Sequence, residues 1–424
     1  MAVSPNVSQE ELGQRLRVAR ESAGLTQAGV AEHLSLSRPT VADIEAGRRG
    51  VSGLELDRLS YLFGRDIRDF LGPSFNAEDA LSAMFRAAPE LAQDDVAESL
   101  RKTVRIGREL SKLKEALGLF ESGLSAPSFS AVVPRARWDA VQQGERAAVE
   151  ERRRLDLGSA PIEDLAELLE AEGVSTVWIE LPADISGLTL RLRDAGLFVI
   201  VNSRHHWLRR RFSWAHELAH VRLDPDLVSG VSRVGDREDL REVRANAFAA
   251  AFLLPEDGVR QYVEALGKGE PSRSRAQLYD EAGALSVEGR SSPGSQRIQL
   301  YDVVLVAHHF KVSHKTALYR LLNLKLLKPG EFRELLASEE GGAGRRIRTL
   351  LGLPDPDHRS LRREFRHRFL GLSLEAYRRE LITRGKLFEL ARLVEVTREE
   401  VLDLLEEAGL LDLDEGPAAL VPEG

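Results

Sequence analysis

The chain of 424 residues contains no cysteine. That excludes a disulfide framework and every thiolate metal site, so any transition-metal ligands must be imidazole or carboxylate. Basic charge is not in excess either. The 59 Lys and Arg face 67 Asp and Glu for a net charge of −8, which excludes generalised nucleic-acid binding but leaves room for one module with a local basic face. No apolar run approaches the roughly 20 residues of a membrane span, and Met1-Ala2-Val3-Ser4-Pro5 lacks a basic-then-apolar signal pattern. The expectation is a cytoplasmic protein with no membrane partner. Hydrophobic content of 43% and charged content of 30% describe a globular chain, and 424 residues are too many for one ordinary core.

Near the N-terminus, residues 9–22 place Leu12, Leu16 and Ala19 at helical spacing. Gly24 stops that helix, Thr26 caps Gln27 to Leu34, and Ser37 caps Arg38 to Ala46, which Gly47 closes. Two short helices across a tight turn form a helix-turn-helix pattern. The stretch from Leu25-Thr26-Gln27 to Ile44-Glu45-Ala46-Gly47 resembles the Cro/CI-type (XRE) DNA-binding family over residues 12–71. The resemblance implies a double-stranded operator as partner, with Ser37, Arg38, Thr40 and Asp43 facing the major groove. Arg38 matches a guanine edge, Gln27 suits a backbone or base contact, and Arg48 and Arg49 suit phosphates. Pro39 offers no side chain to read a base, and Asp43 sets a negative charge towards the groove.

Residues 74–134 read as a helical bridge. Leu100, Val104, Leu110, Leu113 and Leu117 recur roughly at helical spacing, which suits either a homodimer seam or an amphipathic connector. Ser122 to Pro134 is the expected domain boundary. Beyond it come a charged helix, a leucine-spaced segment from Ile162 to Glu172, and short strand-like runs at Val174 to Leu181, Ser186 to Arg193 and Leu197 to Val201.

Then follows His216-Glu217-Leu218-Ala219-His220. Two histidines four apart lie one above the other on a helix and can reach one ion, while the glutamate between them can take a proton from the attacking water. A catalytic zinc needs a third protein ligand. Glu242, in the first turn of the helix Leu240 to Leu254, is the natural one, with Glu238 and Asp239 as rivals in the same stretch.

The set Val201-Asn202, Arg211-Phe212, His216 to His220, and Glu242-x-x-Ala245-Asn246-x-Phe248-Ala249-Ala250 ending in Leu253-Leu254-Pro255 resembles the ImmA/IrrE family of metallo-endopeptidases over roughly residues 140–330. The resemblance selects Glu242 as third ligand and implies Zn²⁺, with Mn²⁺ or Fe²⁺ suiting the same ligands. It implies Glu217 as the catalytic base and a repressor-type protein as substrate. Ala219 stands where the family usually has glycine. Asn246 is read as orienting Glu242 or a neighbouring backbone group. His205, His206, Tyr262 and Tyr279 are candidates for an oxyanion donor, with ordinary surface or packing roles as the alternative.

Residues 267–297, rich in Gly, Ser, Pro and charge, read as a mobile insertion, and helices follow to the C-terminus. The expected architecture is multidomain and mainly α. It comprises an all-α head (9–73), a bridge (74–134), an α+β zincin-like peptidase core with a small sheet (135–330), and a helical C-terminal region (331–424). The expected function is a DNA-binding transcriptional regulator carrying a zinc endopeptidase that cuts a repressor or itself. The rival is a regulator or antitoxin whose peptidase-like part only senses.

Overall fold

A computed structural model describes residues 7–72, 75, 80–119, 132–192, 196–225, 229–233, 235–236, 238–268, 274–280, 283–289, 296–354 and 360–410. The chain is mostly helical, with a small mixed sheet in its middle third. Among the described residues, no helix is long and apolar enough to cross a membrane.

The head is built from α1 (Gln9–Ser22), α2 (Gln27–Leu34), α3 (Arg38–Glu45), α4 (Gly53–Leu62) and α5 (Ile67–Leu71). Each begins where a short polar side chain satisfies a first-turn N–H: Ser8, Thr26, Ser37, Ser52 and Asp66 all accept such a bond. Leu16, Val30, Leu34, Val41, Ile44, Leu59 and Phe70 close its core. Beneath them a buried pair, Arg20 Nε to Glu45 Oε1 at 2.5 Å, ties α1 to α3.

The bridge comprises α6 (Ala80–Ala87), a 3₁₀ turn (Pro89–Ala92) and α7 (Asp94–Ala116). After it come α8 (Arg137–Arg154), α9 (Leu165–Ala171), the strands β1 (Val174–Ile179), β2 (Ile185–Leu192) and β3 (Gly196–Asn202), α10 (Trp207–Leu223), β4 (Ser229–Arg233), α11 (Leu240–Leu253) and α12 (Glu256–Ala265). The sheet order is β1-β3-β2-β4, with β1 parallel to β3 and the other pairs antiparallel.

Side chains alternate across β3 as a two-residue period requires. Leu197, Val199 and Val201 meet the helices α8 to α11, while Phe198 and Ile200 face the bridge. On that second face Leu81, Met84, Phe85, Leu91, Leu100 and Val104 pack against Leu188, Leu190, Phe198 and Ile200. Burying each such side chain contributes about 1.5–3 kcal/mol, so six together rival the whole net stability of a domain. The bridge is therefore the second layer of the sheet rather than a tether. This corrects the homodimer seam: Leu100, Val104, Leu110, Leu113 and Leu117 are all buried within this chain.

The hydrophobic core around α10 continues through α13 (Leu300–His309), α14 (His314–Asn323), α15 (Pro329–Glu340) and α16 (Ala343–Leu350). Between α12 and α13 the stretch expected to be a mobile insertion carries an antiparallel hairpin of β5 (Ser274–Asp280) and β6 (Gly283–Gly289). Finally α17 (Ser360–Arg378), α18 (Arg384–Leu393) and α19 (Arg398–Glu407) form a small cluster. Phe369, Ala376 and Leu390 from it seat against Leu110, Leu113 and Leu117 of α7.

Candidate metal centre and DNA-facing head

The helix α10 starts at His206, whose ring accepts from the Leu208 N–H at 3.4 Å, and it is buried along most of its length. Arg211 anchors it from inside by donating to the carbonyls of Ile162 and Glu163. Facing it is α11, which α8 presses from behind. A Cβ on Gly144 would lie 2.3 Å from the Arg244 carbonyl, so only glycine lets the two backbones approach. With α8 seated this closely on one side of α11 and α10 packed on the other, the candidate ligands on α10 and α11 are held in fixed register.

Three side-chain ends converge between them. His216 Nε2 lies 3.0 Å from Glu242 Oε2, His220 Nε2 lies 3.1 Å from Glu242 Oε1, and the two Nε2 atoms are 3.2 Å apart. Neither Glu238 nor Asp239 joins this group. Both Nδ1 atoms are engaged on the far side, His216 with Asn246 Oδ1 at 3.1 Å and His220 with Asp224 Oδ2 at 3.0 Å. An oxygen acceptor at each Nδ1 puts the ring hydrogen there and turns both Nε2 lone pairs inward. Two lone pairs and a carboxylate aimed at one point repel one another unless a cation stands between them.

The spacing suits one: ligand atoms about 2.0–2.1 Å from a tetrahedral Zn²⁺ are about 3.3 Å from each other. Protons compete for the same lone pairs. Burial lowers the His220 pKa, but its bonds to Asp224 and Glu242 outweigh that and raise it. Burial raises the Glu242 pKa, but bonds from His216 and His220 hold it at about 2. A divalent ion placed at this cluster would therefore meet stronger competition from protons as pH falls.

Glu217 is 0% exposed. Its Oε2 accepts from the Thr189 hydroxyl at 2.7 Å, whereas Oε1 has no hydrogen-bond partner among the described residues. Gly187, also on β2, makes the room: a Cβ there would stand 2.5 Å from that free oxygen. Asn246 bonds His216 rather than Glu242, which corrects the sequence reading. The cause is helical geometry, since Glu242 and Asn246 lie one turn apart and meet opposite sides of the same imidazole. Of the oxyanion candidates, His206 is a helix cap and Tyr262 stacks on His309 with ring centres 4.2 Å apart. The Tyr279 side chain lies outside the described residues.

Sequence reasoning missed Thr189, Gly187, Asp224 and Arg244. Asp224 alone had a signal, four residues beyond His220 at the helix end.

In the head, Arg38 and Ser37 stand exposed at the start of α3. Ser37 and Thr40 share a hydroxyl bond of 2.8 Å while Ser37 caps the helix. Asp43 is paired with Arg48 at 2.7 Å, which offsets its negative charge. Arg49 pairs with Glu55 at 2.8 Å, and the Gln27 amide donates to the buried Glu45 at 2.9 Å. Gln27 is thus held from within the head, with one of its two amide hydrogens engaged.

Residues 172–279 match the family model of the IrrE N-terminal-like domain, a peptidase family. Residues 11–69 match the model of a helix-turn-helix domain. The chain thus joins an N-terminal XRE-type helix-turn-helix to an ImmA/IrrE-like domain. No curated protein matches the chain.

Proposed function

We propose that this protein is a transcriptional regulator whose metal-dependent endopeptidase cuts a repressor-type protein. The observation that carries the reading is the convergence of His216, His220 and Glu242 beside a buried glutamate with one oxygen unpartnered among the described residues. His216, His220 and Glu242 would hold the ion, Zn²⁺ in this reading, with Mn²⁺ or Fe²⁺ compatible with the same atoms. When bound, such an ion polarises the scissile carbonyl and makes water acidic enough to be a nucleophile near neutral pH.

The protein's own part is proton traffic. Thr189 keeps Glu217 Oε2 occupied, so Oε1 is the atom that takes the proton from the attacking water and returns it to the leaving amine. The head, with Arg38 exposed on α3, would deliver the enzyme to operator DNA, where repressor-type substrates sit.

The burial of the site supports a second reading. With His216 and His220 each 6% exposed, a regulator or antitoxin that senses without cutting would also keep its pocket shut. Purified wild type and Glu217→Gln, incubated with Zn²⁺ or Mn²⁺ and repressor-type proteins of the same genome, separate the two. Metal-dependent loss of a repressor, or of the protein's own head, in wild type alone supports the peptidase. Metal binding by both proteins with no cutting supports the sensor.

A further inference from the structure

Resting on the reading of His216, His220 and Glu242 as ligands, we propose that Asp224 and Arg244 form an outer clasp that sets how tightly the site holds its divalent ion. In it Asp224 is the positioning residue of His220. Asp224 follows the last residue of α10, four positions after His220 and therefore on the same face. One carboxylate oxygen accepts from His220 Nδ1 at 3.0 Å, and the other accepts from Arg244 Nη2 at 2.5 Å. The two side chains are 6% and 2% exposed. Arg241 reaches the same carboxylate from the rim, with Nε at 3.7 Å.

Nothing about the helix itself asks for an acid here. The C-terminus of α10 carries the negative end of the helix dipole, which disfavours a carboxylate, and a buried carboxylate without partners is costlier still. Its partners explain its presence. Towards His220 it fixes the ring hydrogen on Nδ1 and leaves Nε2 as a lone-pair donor of raised basicity. Towards Arg244 it finds its countercharge.

The same count holds for the whole pocket. Glu217, Asp224 and Glu242 bring three carboxylates together, and a divalent ion, Arg244 and, at the rim, Arg241 offset them. The ligands are backed unequally: His216 rests on the neutral amide of Asn246, and His220 on the ionised Asp224. His220 is accordingly the firmer of the two.

The test measures Zn²⁺ affinity of the full-length protein by competition with a chromophoric chelator, together with the visible spectrum of the Co²⁺-loaded protein. Asp224→Asn should weaken Zn²⁺ binding by about 10–100-fold and shift the Co²⁺ bands, and Arg244→Lys should weaken it less. Asp224→Asn also strands a buried guanidinium and so lowers the melting temperature of the metal-free protein. The double variant Asp224→Asn/Arg244→Met removes both buried charges. It should recover that melting temperature while Zn²⁺ affinity stays low, a split that a purely structural pair would not produce.

Wild-type affinity and spectrum in Asp224→Asn would overturn the clasp, as would a double variant that regains affinity along with stability. His216→Ala separates this from the underlying reading: if it binds Zn²⁺ as tightly as wild type, the ligand set itself is wrong.

Discussion

Replacing Thr189 by valine removes one hydroxyl and keeps the shape of the side chain. In this protein that hydroxyl is the donor to Glu217 Oε2, at 2.7 Å in a fully buried setting, and the other carboxylate oxygen already lacks a partner among the described residues. A hydrogen bond to a charged group contributes about 1.5–3 kcal/mol. Thr189→Val should lower stability by about that amount, because Oε2 lies buried against β2 and no other donor reaches it among the described residues. For a domain of 150–250 residues each kcal/mol moves the melting temperature by about 2–4 °C, so a fall of about 3–12 °C is expected.

The measurement belongs in chelator, where metal affinity does not enter, with Thr189→Ser as the control that retains the donor. A double-mutant cycle with Glu217→Leu isolates the interaction. In the Glu217→Leu background the valine should cost little, since no carboxylate remains to be satisfied. An equal loss in both backgrounds would mean that Thr189 serves packing alone, and the assignment of Oε1 as the proton-accepting atom would lose its basis.

Gly187→Ala should push a methyl against Glu217 Oε1, at 2.5 Å in the unrelaxed geometry, and cost about 1–3 kcal/mol of overpacking. It should leave Zn²⁺ affinity near wild type and cut peptide cleavage sharply, and full cleavage would contradict the placement of the base. Asp66, which caps α5 and reaches Lys112 of the bridge at 3.2 Å, has its pKa held at about 2; burial would raise it, but bonds from Arg68 and the charge of Lys112 prevail. A depressed carboxylate stabilises above its ordinary pKa and ceases to as pH falls through the folded value. Asp66→Asn should therefore cost about 1–2 kcal/mol near pH 7 after solvent screening, and the gap from wild type should close in urea titrations between about pH 4 and pH 2. Arg38→Ala should weaken specific operator binding by about 1–3 kcal/mol in an anisotropy titration. Unchanged affinity would show that α3 is not the reading helix.

The head was legible because its signals are local. Thr26 and Ser37 cap helices a few residues away, and each does so in the structure. His216 and His220 were legible for the same reason, one helical turn apart. Glu242 needed its flanking pattern, since Glu238 and Asp239 were equal candidates by distance along the chain. The partners of Glu217 could not be read, because Thr189 lies 28 residues away on β2 and a threonine in a strand carries no mark of what it touches. Arginine was similarly opaque. Arg152, in the charged helix α8, is 4% exposed and donates to the carbonyls of Leu157, Gly158, Ala160 and Phe252. The bridge failed differently: an apolar stripe at helical spacing looks the same whether a second copy or the chain's own sheet covers it.

That covering has a consequence for any event in which the protein cuts itself. A break between α7 and α8 would sever the chain but leave the head attached, since Leu81, Met84, Phe85 and Leu100 would still be embedded against Leu188, Leu190 and Phe198. After such a cut, freeing the head together with α6 and α7 would require peeling those helices away and baring one whole side of the sheet whose β2 holds Glu217 through Thr189. A cut after the bridge would thus release the head only by uncovering the sheet that positions Glu217, whereas a cut ahead of α6 would leave that sheet covered.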